Sequence, residues 1–216
     1  MNNFFKNIIE YIRNNLKFLS IILLLILLIT IIYNVYLYLQ KNNLEKKSVI
    51  FFETIEKLQT ENLINDLSNL NNNKDFYSIL SILKEIEIHN SEKNYSISLD
   101  LYKNLIDHYK LDNLYVSAIS SKASFTAINA LLTSKETNYI EYAEYFISKI
   151  LNSENYYPIK QELTYLLAVT KLNINNENYS NNNDVTEIYN NIINSENIPI
   201  SIKDRVRKIN EYESFK

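Results

Sequence analysis

The pattern of apolar and polar positions divides the chain into one unbroken apolar run and a longer region of helical periodicity. Between Phe18 and Leu39 there is no charged residue, and Ser20, Thr30 and Asn34 are the polar interruptions among apolar and tyrosine side chains. A helix of roughly 20 apolar residues crosses about 30 Å of hydrocarbon. The run exceeds the roughly 7–15 apolar residues of a cleaved signal peptide. We therefore predict an uncleaved transmembrane anchor that begins at Phe18 and ends at Leu39.

This anchor separates three predicted segments: a short cytoplasmic N-terminus (1–17), the membrane span (18–39) and a helical domain (40–216). An apolar stripe from residue 44 to about residue 58 favours continuation of the anchor helix out of the membrane. Beyond it, apolar residues recur with a period near 3.6, which indicates amphipathic helices. The predicted helices cover residues 61–70, 75–88, 94–109, 112–132, 137–151, 156–172, 184–193 and 201–212. The fold class is all-α.

Two of these helices carry informative faces. On the helix at 75–88, an apolar stripe is predicted to face the core. It consists of Phe76, Leu80, Leu83 and Ile86. On the helix at 112–132, small residues are predicted to permit close approach of a neighbouring helix. They are Ala118, Ala123, Ala127 and Ala130.

An internal repeat relates the second helix of each successive pair. The repeated pattern has a small or branched residue at i, followed by larger residues at i+4, i+7 and i+8. It begins at Ser98, at Ala143 and at Val185, which lie 45 and 42 positions apart. One helical hairpin cannot bury its apolar face alone, so repeats of this kind stack on their neighbours. The repeat therefore predicts stacked helical hairpins.

The composition removes most catalytic and ligand-binding classes. The chain has no glycine and no cysteine, and it has only two histidines. Glycine-rich phosphate cradles, dinucleotide turns, disulfides, thiolate zinc sites and cysteine nucleophiles are therefore excluded. The net charge of −3 provides no basic face for nucleic acid. We predict a non-enzymatic protein with no catalytic residues, cofactor, metal, nucleic-acid partner or small-molecule substrate.

The titratable residues support the same prediction. His89 and His108 each end a predicted helix, where surface histidines are expected because helix C-termini favour cations. The pairs Glu85 with Glu87 and Glu141 with Glu144 are expected to be solvated helix-surface carboxylates. A small basic cluster in the last helix is expected to be a solvated face, with an acidic partner or anionic lipid as the alternative. It consists of Lys203, Arg205, Arg207 and Lys208.

The 18 tyrosines are the best candidates for a binding surface. Aromatic residues are enriched in protein-protein interfaces, and stacked helical hairpins expose concave surfaces. We predict Tyr102, Tyr115, Tyr142 and Tyr145 as possible protein-binding aromatics. Core packing is the alternative role for the same rings.

The organisation of the chain resembles that of a known family. The segments that carry the resemblance are Phe76–Leu83, Ser98–Tyr102 and Ala118–Leu132, which match in pattern and helix order. With the anchor, they resemble the YfgM-type ancillary subunit of the Sec translocon over residues 4–212. The tetratricopeptide glycine is absent, with Ser81 and Ser120 near its place. The resemblance implies a degenerate tetratricopeptide-like helical-hairpin solenoid that follows a single N-terminal transmembrane helix.

The resemblance also implies a location and a role. Basic residues are balanced on the two sides of the span, so charge does not decide orientation. The family places its N-terminus in the cytoplasm and its helical domain in the periplasm, anchored in the bacterial inner membrane. The implied function is a scaffold that tethers chaperones or client proteins, with translocon subunits or periplasmic chaperones as partners. The alternative is a self-associating structural protein of envelope organisation or cell division.

Overall fold

The computed structural model describes residue 13 and residues 15–56, 63–71, 74–175 and 182–215. Over these residues the chain is helical and contains no strand, which confirms the all-α prediction. Two compact units are present, Met1–Thr60 and Glu61–Lys216. The described helices are α1 (Leu16–Glu56), α2 (Leu63–Leu70), α3 (Phe76–Ser91), α4 (Tyr95–His108), α5 (Asn113–Ser134), α6 (Asn138–Lys149), α7 (Tyr157–Asn175), α8 (Asn183–Asn194) and α9 (Ile200–Ser214).

The first unit is dominated by α1, a continuous helix of 41 residues. Its most apolar 18-residue stretch has a mean hydropathy of 2.8, and none of that stretch is buried. At about 1.5 Å per residue the helix is about 60 Å long, roughly twice the thickness of bilayer hydrocarbon. One helix near the N-terminus is therefore long and apolar enough to cross a membrane. The apolar run and the stripe that follows it lie on one continuous helix as far as Glu56. Residues 57–58 and most of the predicted N-terminal segment lie outside the described residues.

In the second unit, helices pack in chain order. The principal contacts join neighbouring helices, and α7 also contacts α5 on one side and α9 on the other. Leu163 and Leu167 of α7 belong to a first core built with α3 to α6, around the fully buried Phe146. Tyr165 and Val169, on another face of the same helix, belong to a second core with α8 and α9.

The repeat predicted from sequence has a consistent pattern of burial. Its first position is buried in all three copies, at Ser98, Ala143 and Val185. The position at i+7 is likewise buried in each copy, and the position at i+8 is half-buried in each. The copies lie on α4, α6 and α8, and the second one runs past the end of α6 at Lys149.

The predicted core face of α3 is confirmed for two of its four members. Ile86 is buried in the first core, and the half-buried Leu83 packs against it. Phe76 is 58% exposed and Leu80 is half-buried outside both cores, so the prediction is wrong for these two residues. The buried side of α3 also carries polar residues beside Ile82 and Ile86; they are Ser78, Ser81, Glu85 and His89.

The start of α3 explains this orientation. Asp75 caps the helix by accepting from the backbone N–H of Ser78 at 3.0 Å. The hydroxyl of Ser78 donates to the carbonyl of Leu70 at 2.8 Å, which holds this side of α3 against the end of α2. Small serine side chains there allow close helix packing, so the start of the apolar stripe at Phe76 and Leu80 is turned away from the interior, whereas its end at Ile86 is buried.

Turns in this glycine-free chain use lysine in the left-handed region. Lys74, Lys93 and Lys135 have φ of 52°, 62° and 62°. Lys135 ends α5, and its backbone N–H donates to the carbonyl of Leu131 at 2.9 Å. A residue with a Cβ in this conformation costs roughly 1 kcal/mol. The three turns therefore carry a small cost that glycine would remove.

Candidate protein-binding surface

The structure places the four candidate tyrosines in three different environments. Tyr102 is only 3% exposed and belongs to the first core, so no partner can reach its ring and the surface role is wrong for it. Tyr115, on α5, is 67% exposed. Tyr142 and Tyr145 of α6 are half-buried and pack against the first core. The four rings do not form one surface.

Tyr142 and Tyr145 connect α6 to α4. The hydroxyl of Tyr142 donates to Asp100 Oδ1, and the hydroxyl of Tyr145 donates to Asp107 Oδ1. Between these bonds, the buried ring of Phe146 lies 5.1 Å from the Tyr145 ring, centroid to centroid, in an edge-to-face arrangement. Such aromatic pairs stabilise packing beyond the area they bury. The two tyrosines therefore join neighbouring helices.

The surroundings of Tyr142 and Tyr145 keep both hydroxyl groups protonated, so both can donate hydrogen bonds. The hydrogen bond to Asp100, followed by burial, raises the pKa of Tyr142 to about 12. Burial, followed by the hydrogen bond to Asp107, raises the pKa of Tyr145. Lys103 and Lys149 also lie near the Tyr145 ring, with Nζ 5.2 Å and 4.9 Å from its centroid. These ammonium groups attract the ring as cation–π partners.

A groove of about 290 Å³ lies on another face, where α5, α7 and α9 meet. Phe125 of α5 stands at this groove with 56% of its surface exposed. The groove therefore brings together an exposed aromatic ring, apolar side chains and a charged pair from three helices. Its lining consists of Ser121, Phe125, Ile159, Glu162, Leu163, Leu166 and Arg205.

The charged pair of the groove is a two-point contact between α7 and α9. Arg205 donates from Nε to Glu162 Oε1 at 2.6 Å and from Nη2 to Glu162 Oε2 at 2.7 Å. The Glu162 side chain is 12% exposed, whereas that of Arg205 is 55% exposed. The hydrogen bond to Glu162 raises the pKa of Arg205. This pair holds a guanidinium group at the groove with its outer side open to solvent.

The predicted basic cluster is half neutralised. Glu162 pairs with Arg205, and Asp204 lies 2.9 Å from Arg207 Nη1. Within the described residues, Lys203 and Lys208 have no ion pair. The cluster is thus weaker as a site for an acidic partner than its sequence suggests.

A wider cleft of about 540 Å³ separates α6, α7 and α8. Ile147, Leu167 and Val185 contribute apolar lining, and Lys171 forms an ion pair with Glu144 at its edge. Its lining includes Asn175 and Asn182, which flank residues outside the described ranges. The groove at α5, α7 and α9 has no such boundary, and it is the better-defined candidate.

Two expectations about titratable residues are wrong. Glu85 is 5% exposed, accepts from Asn71 Nδ2 at 2.8 Å, and has its pKa raised by burial. His89 is 8% exposed, and its Nδ1 atom makes no hydrogen bond within the described residues. By contrast, Glu87 is exposed and pairs with Lys84 at 2.9 Å. Among the described residues there is no group of three or more His, Asp or Glu side chains that could hold a metal ion.

Family models, curated proteins and solved structures yield no match to this chain.

The residues of the groove other than Arg205 were missed by the sequence analysis, although one signal was present. Ala123, Ala127 and Ala130 mark the buried side of α5, and each is fully buried, whereas Ala118 is exposed. Phe125 lies on the opposite side of the same helix at about 100° per residue. When a large aromatic residue lies on the side of a helix opposite the small residues that pack against a neighbour, its ring is expected to be exposed and to lie outside the core.

Proposed function

We propose that this chain is a non-enzymatic, membrane-anchored protein-interaction module. In this proposal α1 spans the membrane through residues 18–39, and the second unit is a degenerate tetratricopeptide-like stack of helical hairpins. The groove formed by α5, α7 and α9 binds a segment of a partner protein.

The observation that carries the proposal is the meeting of alternate helices at one open groove. Stacked helical hairpins create extended concave surfaces, and repeat proteins use these surfaces for binding. The contacts of α7 with α5 and α9 and the burial shared by the repeat copies support this arrangement. An exposed Phe125 beside Arg205 supplies the residue types enriched at interface hot spots.

The size of the groove sets what it can bind. At about 290 Å³ it lies near the lower limit of small-ligand pockets, roughly 300 Å³. It offers room for a few side chains of a partner segment. Ile159 and Leu166 would contact apolar side chains, and Arg205 would donate a hydrogen bond to a carboxylate or carbonyl oxygen.

The resemblance to the YfgM-type subunit gives the proposal its setting. The N-terminus is cytoplasmic, the helical unit is periplasmic, and the partners are translocon subunits or periplasmic chaperones. Tethering raises the local concentration of a partner, so modest affinity in the groove is sufficient. Residues 40–56 of α1 add about 25 Å of helix beyond the span at about 1.5 Å per residue.

Site-specific photo-crosslinking in cells tests this proposal. A photoreactive residue at position 125 should capture a discrete protein partner, and Leu166→Glu should abolish that capture. A photoreactive residue at position 76 is the matched control, because Phe76 is 58% exposed and Phe125 is 56% exposed. A circular dichroism melt verifies that Leu166→Glu still folds. Equal capture from both positions, or capture unaffected by Leu166→Glu, would refute the groove as the binding site.

A further inference from the structure

The three polar interruptions of the apolar run share one face of α1. Ser20, Thr30 and Asn34 fall within an arc of about 80° at about 100° per residue. With Leu23, Leu27 and Leu37 they form a seam whose spacing alternates between three and four residues. We call this set of six residues the polar seam. Such spacing is the pattern by which two helices pack along their length.

The polar side chains of the seam do not use all of their hydrogen-bond donors and acceptors. Ser20 donates to Lys17 O, Thr30 donates to Ile26 O, and Asn34 Nδ2 donates to Thr30 O, each at 2.8 Å. Within the described residues, Asn34 makes no other hydrogen bond, so its carbonyl oxygen and second amide proton are open. Hydrocarbon contains no water to satisfy them, and an unsatisfied polar group there is costly.

The surface of α1 also has a shape suited to a partner at this place. A shallow depression is lined by Thr30 together with Leu23, Leu27, Ile31 and Asn34, among others. A depression bounded by side chains of one helix is a hole that accepts a side chain from a facing helix.

We propose that α1 forms a parallel two-helix dimer with a second copy of this chain through the polar seam. A second copy fits because a two-fold axis along the membrane normal places Asn34 opposite Asn34 at the same depth. A carboxamide is both donor and acceptor, so two of them satisfy each other across the axis. Interhelical hydrogen bonds of this kind stabilise helix association in membranes.

The dimer rests on the proposed membrane span, and it adds to the proposed function. Two copies joined at the anchor present two grooves to one partner assembly. Paired sites raise overall binding without any new contact, provided that both can engage together. The polar seam thus makes the membrane segment a second element of recognition as well as an anchor.

Cysteine crosslinking in cell membranes tests the dimer, because the natural chain contains no cysteine. Full-length variants Leu27→Cys and Leu23→Cys lie on the polar seam and should form disulfide-linked dimers on mild oxidation. Leu25→Cys and Ile32→Cys are matched controls on the opposite face and should form few. Equal crosslinking from both faces, or none from either, would overturn the dimer.

A second pair of variants isolates Asn34. Asn34→Val should raise the dissociation constant of the dimer about three- to tenfold in reconstituted bilayers, as measured by energy transfer. Adding Ile32→Asn to Asn34→Val restores the composition but puts the amide on the opposite face, so it should not restore the dimer. Unchanged association in Asn34→Val would refute the role of the amide.

Other results separate failure of the dimer from failure of the proposed function. If alkaline extraction released the chain from membranes, both the anchor and the dimer would be refuted. An inserted chain that crosslinks through the polar seam to a different membrane protein would refute a second copy as the partner. Photo-crosslinking from position 125 is measured separately, so the groove is judged independently of either result.

Discussion

The hydrogen bond between Tyr142 and Asp100 leads to a prediction whose magnitude depends on pH. Tyr142→Phe removes one hydrogen bond between α4 and α6 and leaves the ring that packs on the core. We expect it to lower the free energy of unfolding of the helical unit near neutral pH. We expect the loss to fade as the pH rises from about 10 toward about 12.

The raised pKa of Tyr142 gives both the direction and the size of the effect. The folded state holds the hydroxyl proton more tightly, since the pKa moves from the ordinary 10.0 to about 12. The stability that this hydrogen bond contributes is therefore fully present below pH 10, and it is lost as the pH rises through the pKa of Tyr142 in the folded state. Two pH units correspond to about 2.7 kcal/mol at most. Because Asp100 is exposed and Tyr142 is only half-buried, we expect about 1 kcal/mol.

Urea unfolding of the full chain in mild detergent, followed by circular dichroism at pH 7 and about pH 11, measures the effect. Tyr115→Phe is the matched control, because that hydroxyl is on an exposed ring and makes no hydrogen bond within the described residues. A double-mutant cycle with Asp100→Asn isolates the pair. An equal loss at both pH values, or a coupling energy of zero in the cycle at pH 7, would refute the reasoning.

Three further predictions use the same unfolding measurement. Phe146→Ala should cost about 3–5 kcal/mol because the ring is fully buried, whereas Phe125→Ala should cost less than about 1 kcal/mol; similar losses would contradict the two placements. Lys135→Gly should stabilise by about 0.5–1 kcal/mol, because glycine adopts the left-handed conformation without strain; a lower midpoint would contradict this. Glu85→Gln should stabilise by about 1 kcal/mol near pH 7 while keeping an acceptor for Asn71. Burial raises the pKa of Glu85 above 4.5, so the protonated carboxyl of the wild type stabilises the fold below that pH, and this stabilisation is lost as the pH rises. The stability gained by Glu85→Gln should therefore shrink as the pH is lowered. A gain in stability that is independent of pH would contradict the assignment.

The sequence predicted the helices well because their ends carry local signals. Asp112 stands at the predicted start of the long helix, and its carboxylate accepts from the backbone N–H of Leu114 at 2.9 Å. Pro158 lies in the first turn of α7, and Pro199 directly precedes α9. The apolar run and the helical period are likewise properties of short segments. Such features do not depend on the tertiary packing.

The orientation of α3 could not be predicted, because hydropathy gives no weight to side-chain size. Serine is polar by any scale, yet Ser78 and Ser81 are fully buried. A buried hydroxyl costs little when it donates to a backbone carbonyl, as Ser78 does to Leu70 and Ser124 does to Ser120. Close helix packing then favours a face on which these small serines lie beside Ile82 and Ile86 over a face that includes Phe76. Phe76 was left exposed by this competition, which no periodicity count includes.

The candidate groove was beyond sequence reasoning for a different reason. Periodicity identifies the buried side of each helix, and the groove is built from the sides that remain. Three different helices contribute Phe125, Glu162 and Arg205 to the groove. Successive members of this set are about 40 residues apart in the sequence. The contacts of α7 with α5 and α9 bring them together. The tyrosines were conspicuous because they recur at helical spacing, and that same spacing placed Tyr102 in the core. An aromatic residue outside the core periodicity, such as Phe125, is therefore the better indicator of an exposed ring.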